Sequence, residues 1–213
     1  MVIPGRFNGP SGSGNGGYSA GMFAGLVDGV AEVTLRMPPP LDTPLTARGG
    51  EVLSPSGRVV ATVAAVAPFP VAVEPVPLPV AAEAARHYPG FTEHPFPTCY
   101  VCGPERDDGL AIFPGPLDGG GVAAPFTAPV EVTPQTVWAA LDCPGGWSVI
   151  SAGRPFVLGR IAAVVSALPE PGAEHVVVGR MSEREGRKAT VDSALYTAGG
   201  TLLAHAHATW IAI

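Results

Sequence analysis

Asp142 and Cys143 stand side by side in the stretch Val137–Ile150, VWAALDCPGGWSVI. Pro144-Gly145-Gly146 follows them, then the apolar run Trp147-Ser148-Val149-Ile150. Glycines let a backbone come close to a ligand. If a helix continues from or restarts at this pair, its first N–H groups are free to face an anion or a polarised carbonyl oxygen. A carboxylate beside such donors is the minimum equipment for water attack on an acyl group. On that reading Asp142 handles the proton, Gly146 supplies the oxyanion donor, and Gly145 and Ser148 contact the ligand. The bland alternative is a helix interrupted by Pro-Gly-Gly, with Asp142 solvated or capping; the stretch alone leaves both open.

The stretch has a twin near the N-terminus. Gly16-Gly17-Tyr18-Ser19-Ala20 matches Gly145-Gly146-Trp147-Ser148-Val149 at an offset of 146 − 17 = 129 residues. The same offset lays the strand-like run 31–37 (AEVTLRM) on 160–166 (RIAAVVS) and brings Pro38-Pro39-Pro40 to the region of Pro169 and Pro171. Further on, 56–64 resembles 199–207. Two halves with the order glycine pair, helix, strand, hairpin, strand point to a duplicated fold. Asn15, Gly16 and Gly17 thereby join the candidate site residues.

The elements that must position these groups follow from pattern. Asn15 is a good N-cap for a buried helix over 16–27. Residues 31–37 alternate as a strand does, 46–53 reads as a short hairpin, and 58–67 is the strongest strand of the first half. Pro68–Pro79 is extended and 80–87 a short helix. Units are expected at 1–75 and 99–213, joined by a linker over 76–98. In the second unit 110–113 and 122–126 read as strands. Thr133 caps a helix with Pro134 at its first position. Strands at 156–166, 175–180, 187–197 and 201–211 close the chain. Sequential antiparallel strands after one central helix imply a curved sheet wrapped on that helix.

The chain's 213 residues suffice for one large domain or two small ones with a proper core. Hydrophobic residues make up 46% and charged ones 14%, with a net charge of -6, which is globular rather than disordered. So few charges point to apolar surface covered by a partner subunit, and a homodimer is expected. The acidic balance and a single lysine, Lys188, argue against nucleic acid. No run of about 18 apolar residues predicts a membrane span, and no signal-peptide pattern opens the chain. Three cysteines, an odd number, fit a reducing cytoplasm.

Cys99-x-x-Cys102 could be half of a zinc site, with Cys143 and His94 completing it. No second Cys-x-x-Cys exists, so the preferred reading is two thiols in a tight turn, with no metal and no cofactor. A Cys143 nucleophile would need a histidine base; His175, His205 and His207 are available. His205 and His207 share one strand face and read as edge or interface residues. Trp138, Trp147 and Trp210 read as core or subunit contacts.

The sequence resembles the hotdog-fold thioesterase superfamily in a duplicated, double-hotdog form. CYVCGPERDDGLAIFPG (99–115) is similar to the Cys-x-x-Cys-Gly…Gly-Leu opening strand of acyl-CoA thioesterase-like hotdog proteins. GNGGYSAG (14–21) resembles the His-Gly-Gly start of the hotdog helix, with Asn15 where histidine is frequent. The segment 186–210 resembles the closing hairpin. The resemblance implies an α+β fold of two curved antiparallel sheets, each wrapped around a central helix. It also implies hydrolysis of acyl-CoA or acyl-carrier thioesters in an oligomer. Gly17 and Gly146 would then lie near the oxyanion donors and Asp142 would be the helix aspartate. Two departures stand out. Ala24 and Gly25 occupy the place of a helix carboxylate in the first half, and the glutamine partner of the double-hotdog enzymes has no counterpart near Ala208. They leave a non-catalytic acyl-CoA-binding or scaffold protein as the alternative.

Overall fold

The computed structural model describes residues 1–150 and 154–213. The first half forms α1 (Gly16–Ala24), β1 (Val30–Leu35), the hairpin β2 (Thr46–Arg48) and β3 (Glu51–Leu53), and β4 (Val59–Val66). The second half holds α2 (Leu78–Arg86), β5 (Gly115–Pro116), β6 (Val122–Thr127) and α3 (Pro134–Trp147). Four long strands then follow: β7 (Phe156–Val165), β8 (Glu174–Glu185), β9 (Lys188–Thr197) and β10 (Leu202–Ala212). Among the described residues no helix is long and apolar enough to cross a membrane.

The strands make one antiparallel sheet in the order β2-β3-β4-β1-β7-β10-β9-β8-β6-β5. The expected pair of separate sheets is therefore corrected to a single ten-stranded one. The reason lies at its centre, where β1 and β7 pair and satisfy the backbone edges that two separate sheets would leave open. Their register pairs Ala31 with Ala163, Glu32 with Ala162, Val33 with Ile161 and Thr34 with Arg160. Adding 129 to 31 gives 160 and to 34 gives 163, so each pair maps onto another pair of the same ladder. The two strands are thus related by a local two-fold, with the offset read from the sequence.

Two faces of the sheet are covered differently. α3 lies against β6–β10, α1 against β1, β4 and β7, and the two helices pack on each other. Phe23 of α1 and Val137 and Leu141 of α3 are fully buried there, each contributing about 1.5–3 kcal/mol by leaving water. The alternate residues Ala123, Val176, Val178, Ala194 and Tyr196 face the other side, under Val73 and Ala81. Tyr196 there donates its hydroxyl proton to the Val73 carbonyl, and His205 Nε2 bonds the Phe69 carbonyl at 2.9 Å. The segment expected as a linker contains α2 and covers the back of β6 and β8.

Two local expectations are revised. Residues 110–113 form no strand; the Leu110 and Ile112 N–H groups donate instead to the carbonyls of Tyr100 and Val101, closing the cysteine loop. Pro144-Gly145-Gly146 is no turn, because α3 runs through it to Trp147. A proline inside a helix removes one hydrogen bond. Tertiary contacts outweigh that loss: Ser193 Oγ donates to the Leu141 carbonyl at 2.7 Å, and Gly145 and Gly146 lie against Val191 and Trp210.

Candidate active site

The site forms where the start of α1 meets the middle of α3. Asn15 caps α1, its Oδ1 accepting from the Tyr18 N–H at 2.8 Å. Its Nδ2 points the other way and donates to Asp142 Oδ2 at 3.0 Å. The Gly17 N–H donates to the same carboxylate oxygen at 2.9 Å. Asp142 is 3% exposed, and its second oxygen, Oδ1, has no hydrogen-bond partner among the described residues. Burial pushes its pKa up to about 7; the bonds from Gly17 and Asn15 pull downward, and Cys99 adds to the rise. A carboxyl held through one oxygen, with the other uncommitted and its proton affinity near neutral, suits proton transfer.

Asp142 lines a cavity of about 380 Å³ together with Asn15 and Gly16. Its walls are mostly apolar, with Met37, Trp147, Ile150, Phe156, Leu158 and Ile211 among them. That size and lining fit a small organic group held by a few convergent polar atoms. Gly16 is the first residue of α1, and its N–H has no partner among the described residues. It is the free donor at a helix N-terminus.

The candidate residues therefore separate. Asn15, Gly16, Gly17 and Asp142 come together. The Gly17 N–H, read from the sequence as an oxyanion donor, is committed to the carboxylate. Gly145 and Gly146 sit in the last turn of α3 rather than at a helix start. Ser148 caps that turn, its Oγ donating to the Gly145 carbonyl at 2.6 Å. His175, His205 and His207 bond the Ala173 carbonyl, the Phe69 carbonyl and Asp192 respectively, away from Cys143. Sequence reasoning set Trp147 aside as a core residue, yet it walls the cavity. His94, Cys99, Cys102 and Cys143 line it as well. The signal for the cysteines was present: one of the three thiols is the neighbour of the candidate acid.

A second groove, of about 520 Å³, lies at the opposite end of the β1–β7 ladder, between the end of α1 and the start of α3. Its wall 164–168 is the 129-residue image of the first cavity's 35–39. Its chemistry is missing. Asp142 stands nine positions after its cap Thr133 (142 − 133 = 9), and Ala24 stands nine after Asn15 (24 − 15 = 9). Where the first cavity has the Gly16 N–H, the second has Pro134, which has none. The site thus takes its helix start from the first half and its acid from the second.

Replacing Asn15 by Ala removes both a cap and a partner of a buried carboxyl. The cap is worth about 1 kcal/mol and the bond to a charged group about 1.5–3 kcal/mol. A loss of about 2–4 kcal/mol on urea unfolding is expected. An unchanged midpoint would show that the amide holds neither group.

No family model matches the sequence, and no curated protein matches it. Solved structures do match. One is described as a thioesterase superfamily protein, with a TM-score of 0.50 and 19% identity over 62% of this chain and 68% of that one. A hypothetical thioesterase from Streptococcus pneumoniae, crystallised with coenzyme A, gives a TM-score of 0.41 and 14% identity over 44% of this chain and 81% of that one. A protein from Bacillus halodurans, solved with CoA, gives 0.43 and 14% over 49% and 75%. The likeness to the first of these is one of fold.

Proposed function

We propose that this chain, which has the hotdog fold of thioesterase-superfamily structures, hydrolyses acyl thioesters carried by coenzyme A or an acyl-carrier protein. One observation carries the reading: a buried aspartate in the lining of an apolar cavity, one oxygen fixed by α1 and the other without a hydrogen-bond partner among the described residues. The acyl chain lies along the apolar walls. Its carbonyl oxygen meets the Gly16 N–H at the positive end of α1, where negative charge developing on that oxygen is stabilised. Asp142 Oδ1 takes a proton from water as the water oxygen bonds to the carbonyl carbon. The carbon–sulfur bond then breaks, and the thiolate leaves with the proton returned by Asp142. Direct attack by Asp142 on the carbonyl is the variant of the same chemistry. Asn15 and Gly17 orient the acid.

In this reading the chain is two fused hotdog units, the first abbreviated, whose sheets have joined edge to edge. Both halves of the site then come from one chain. The homodimer expected from the low charge would not be needed to complete it; sedimentation of the purified protein reads that state directly.

The alternative, a non-catalytic acyl-CoA-binding or scaffold protein, draws on one specific fact: the Asp142 bonds also tie α3 to α1, a structural task. A panel of acyl-CoAs of increasing chain length, assayed for free thiol, separates the two. The hydrolase reading expects thiol release above the uncatalysed rate, with a preference for chains that fit the cavity. Saturable acyl-CoA binding without thiol release, with acyl-carrier substrates equally inert, would favour the alternative.

A further inference from the structure

Three thiols meet at the floor of the cavity. The loop before β5 supplies Cys99 and Cys102, α3 supplies Cys143, and all three are buried. Cys99 Sγ lies 3.9 Å from Cys143 Sγ, and the three sulfurs lie within 4.8 Å of one another. A tetrahedral zinc ion, with zinc–sulfur bonds of about 2.3 Å, holds its sulfurs about 3.8 Å apart. One edge of the triangle already has that length, and the others exceed it by no more than about 1 Å.

The sulfurs have polar groups around them as well as apolar walls. Three N–H groups aim at the sulfurs. Trp147 Nε1 donates to Cys102 at 3.4 Å, Asn15 Nδ2 approaches Cys99 at 3.8 Å, and His94 Nε2 lies 3.5 Å from Cys102. His94 Nδ1 accepts from the Phe96 N–H at 2.9 Å. The proton of the neutral ring therefore sits on Nε2, which faces the Cys102 carbonyl at 3.1 Å and the Cys102 sulfur at 3.5 Å, making His94 a donor to that residue rather than a ligand. The backbone is built for convergence as well. The Gly103 N–H bonds the Cys99 carbonyl at 2.9 Å, and a Cβ on Gly103 would come within 2.5 Å of Cys99 N and Pro97 O. Only glycine closes the loop this tightly.

We propose that Cys99, Cys102 and Cys143 bind a zinc-class divalent ion as three thiolates, with its fourth position open to the cavity. Each thiol gives its proton to solvent as its sulfur bonds the metal, and nothing is oxidised or reduced. The ion fastens the 94–103 loop to α3, so it shapes the floor beside Asp142. His94, Trp147 and Asn15 hold the sulfurs' charge from the outer shell. This site stands or falls separately from the thioester reading.

The test is metal content and spectroscopy on the whole chain. Protein purified without chelator should carry one equivalent of zinc by mass spectrometry of the elements. After stripping, cobalt(II) should give sulfur-to-cobalt charge-transfer bands and tetrahedral visible bands. Cys143→Ser should lower both. If that variant fails to fold, wild-type thiol titration decides: the three thiols should be silent towards a thiol reagent in the zinc-loaded protein and react after chelation. His94→Ala should weaken metal affinity by about 10–100-fold without abolishing it, as loss of an outer-shell partner does. Three results would overturn the proposal. They are no bound metal and no charge-transfer band with cobalt, a Cys99–Cys143 disulfide in metal-free native protein, or loss of all metal in His94→Ala.

Discussion

Asp142→Asn should lower acyl-thioester turnover by about 10²–10⁴-fold, the range supplied by a positioned acid–base group, while leaving the fold in place. Asparagine has the same shape, and its side-chain oxygen can still accept from the Gly17 N–H and Asn15 Nδ2. The strut between α1 and α3 therefore survives. What is lost is the atom that takes the proton from water, because the Oδ1 position becomes an amide NH2, which donates and takes up no proton. Burying an amide also costs less than burying a carboxylate, so the urea midpoint should stay within the equivalent of about 1 kcal/mol of wild type. KM should move little compared with kcat, since the lost interaction belongs to the transition state. Asp142→Ala is the complementary variant. It strands two buried donors, at about 1–3 kcal/mol each, and should lose both turnover and stability. If Asp142→Asn hydrolyses as fast as wild type while Asp142→Ala is merely unstable, the carboxylate is only a strut and the hydrolase mechanism is wrong.

Asp142 was legible in the sequence because it is the lone charge in a long apolar run, where an ionisable group needs a reason. Its partners were misplaced by one assumption. The 129-residue offset holds for the central strands, whose β1–β7 register closes under it. It fails for the helices, whose caps Asn15 and Thr133 are 133 − 15 = 118 residues apart. The second half carries eleven more residues between helix cap and strand (129 − 118 = 11), and α3 has 14 residues where α1 has nine. The glycine pairs that looked like twins thus sit at opposite ends of their helices. Gly16-Gly17 opens α1 on the carboxylate; Gly145-Gly146 makes room for the Trp210 ring and Val191 at the end of α3. The single continuous sheet was hidden for a different reason. Whether two strand edges join depends on the approach of distant segments, which alternation within either strand does not encode. The meeting of Cys143 with Cys99 and Cys102 is a contact of the same kind, spanning 44 residues.

Gly17→Ala should destabilise the protein by about 3 kcal/mol, the upper part of the range for overpacking, and abolish most turnover with it. An alanine here is favourable locally, since replacing glycine inside a helix gains about 0.5–1 kcal/mol. The contacts decide the sign. A Cβ at this position would lie 2.5 Å from Asp142 Cβ and 2.5 Å from the Trp138 carbonyl oxygen. One is the root of a side chain and the other is backbone, so neither can swing aside; α1 and α3 must part. Parting them lengthens the Gly17 N–H bond to Asp142 Oδ2 and draws the Gly16 N–H away from the acid, so position and chemistry fail together. Gly25→Ala is the control. Gly25 caps the same helix with φ -66, and its only near neighbour is Met22 O at 3.9 Å. An alanine there meets ordinary space and should be neutral or stabilising by up to about 1 kcal/mol. Urea midpoints for the two variants make the comparison, with thioester turnover measured alongside. A Gly17→Ala protein as stable and as active as the Gly25→Ala control would mean that the helices do not touch at Gly17. The carboxylate would then be positioned by something other than the start of α1.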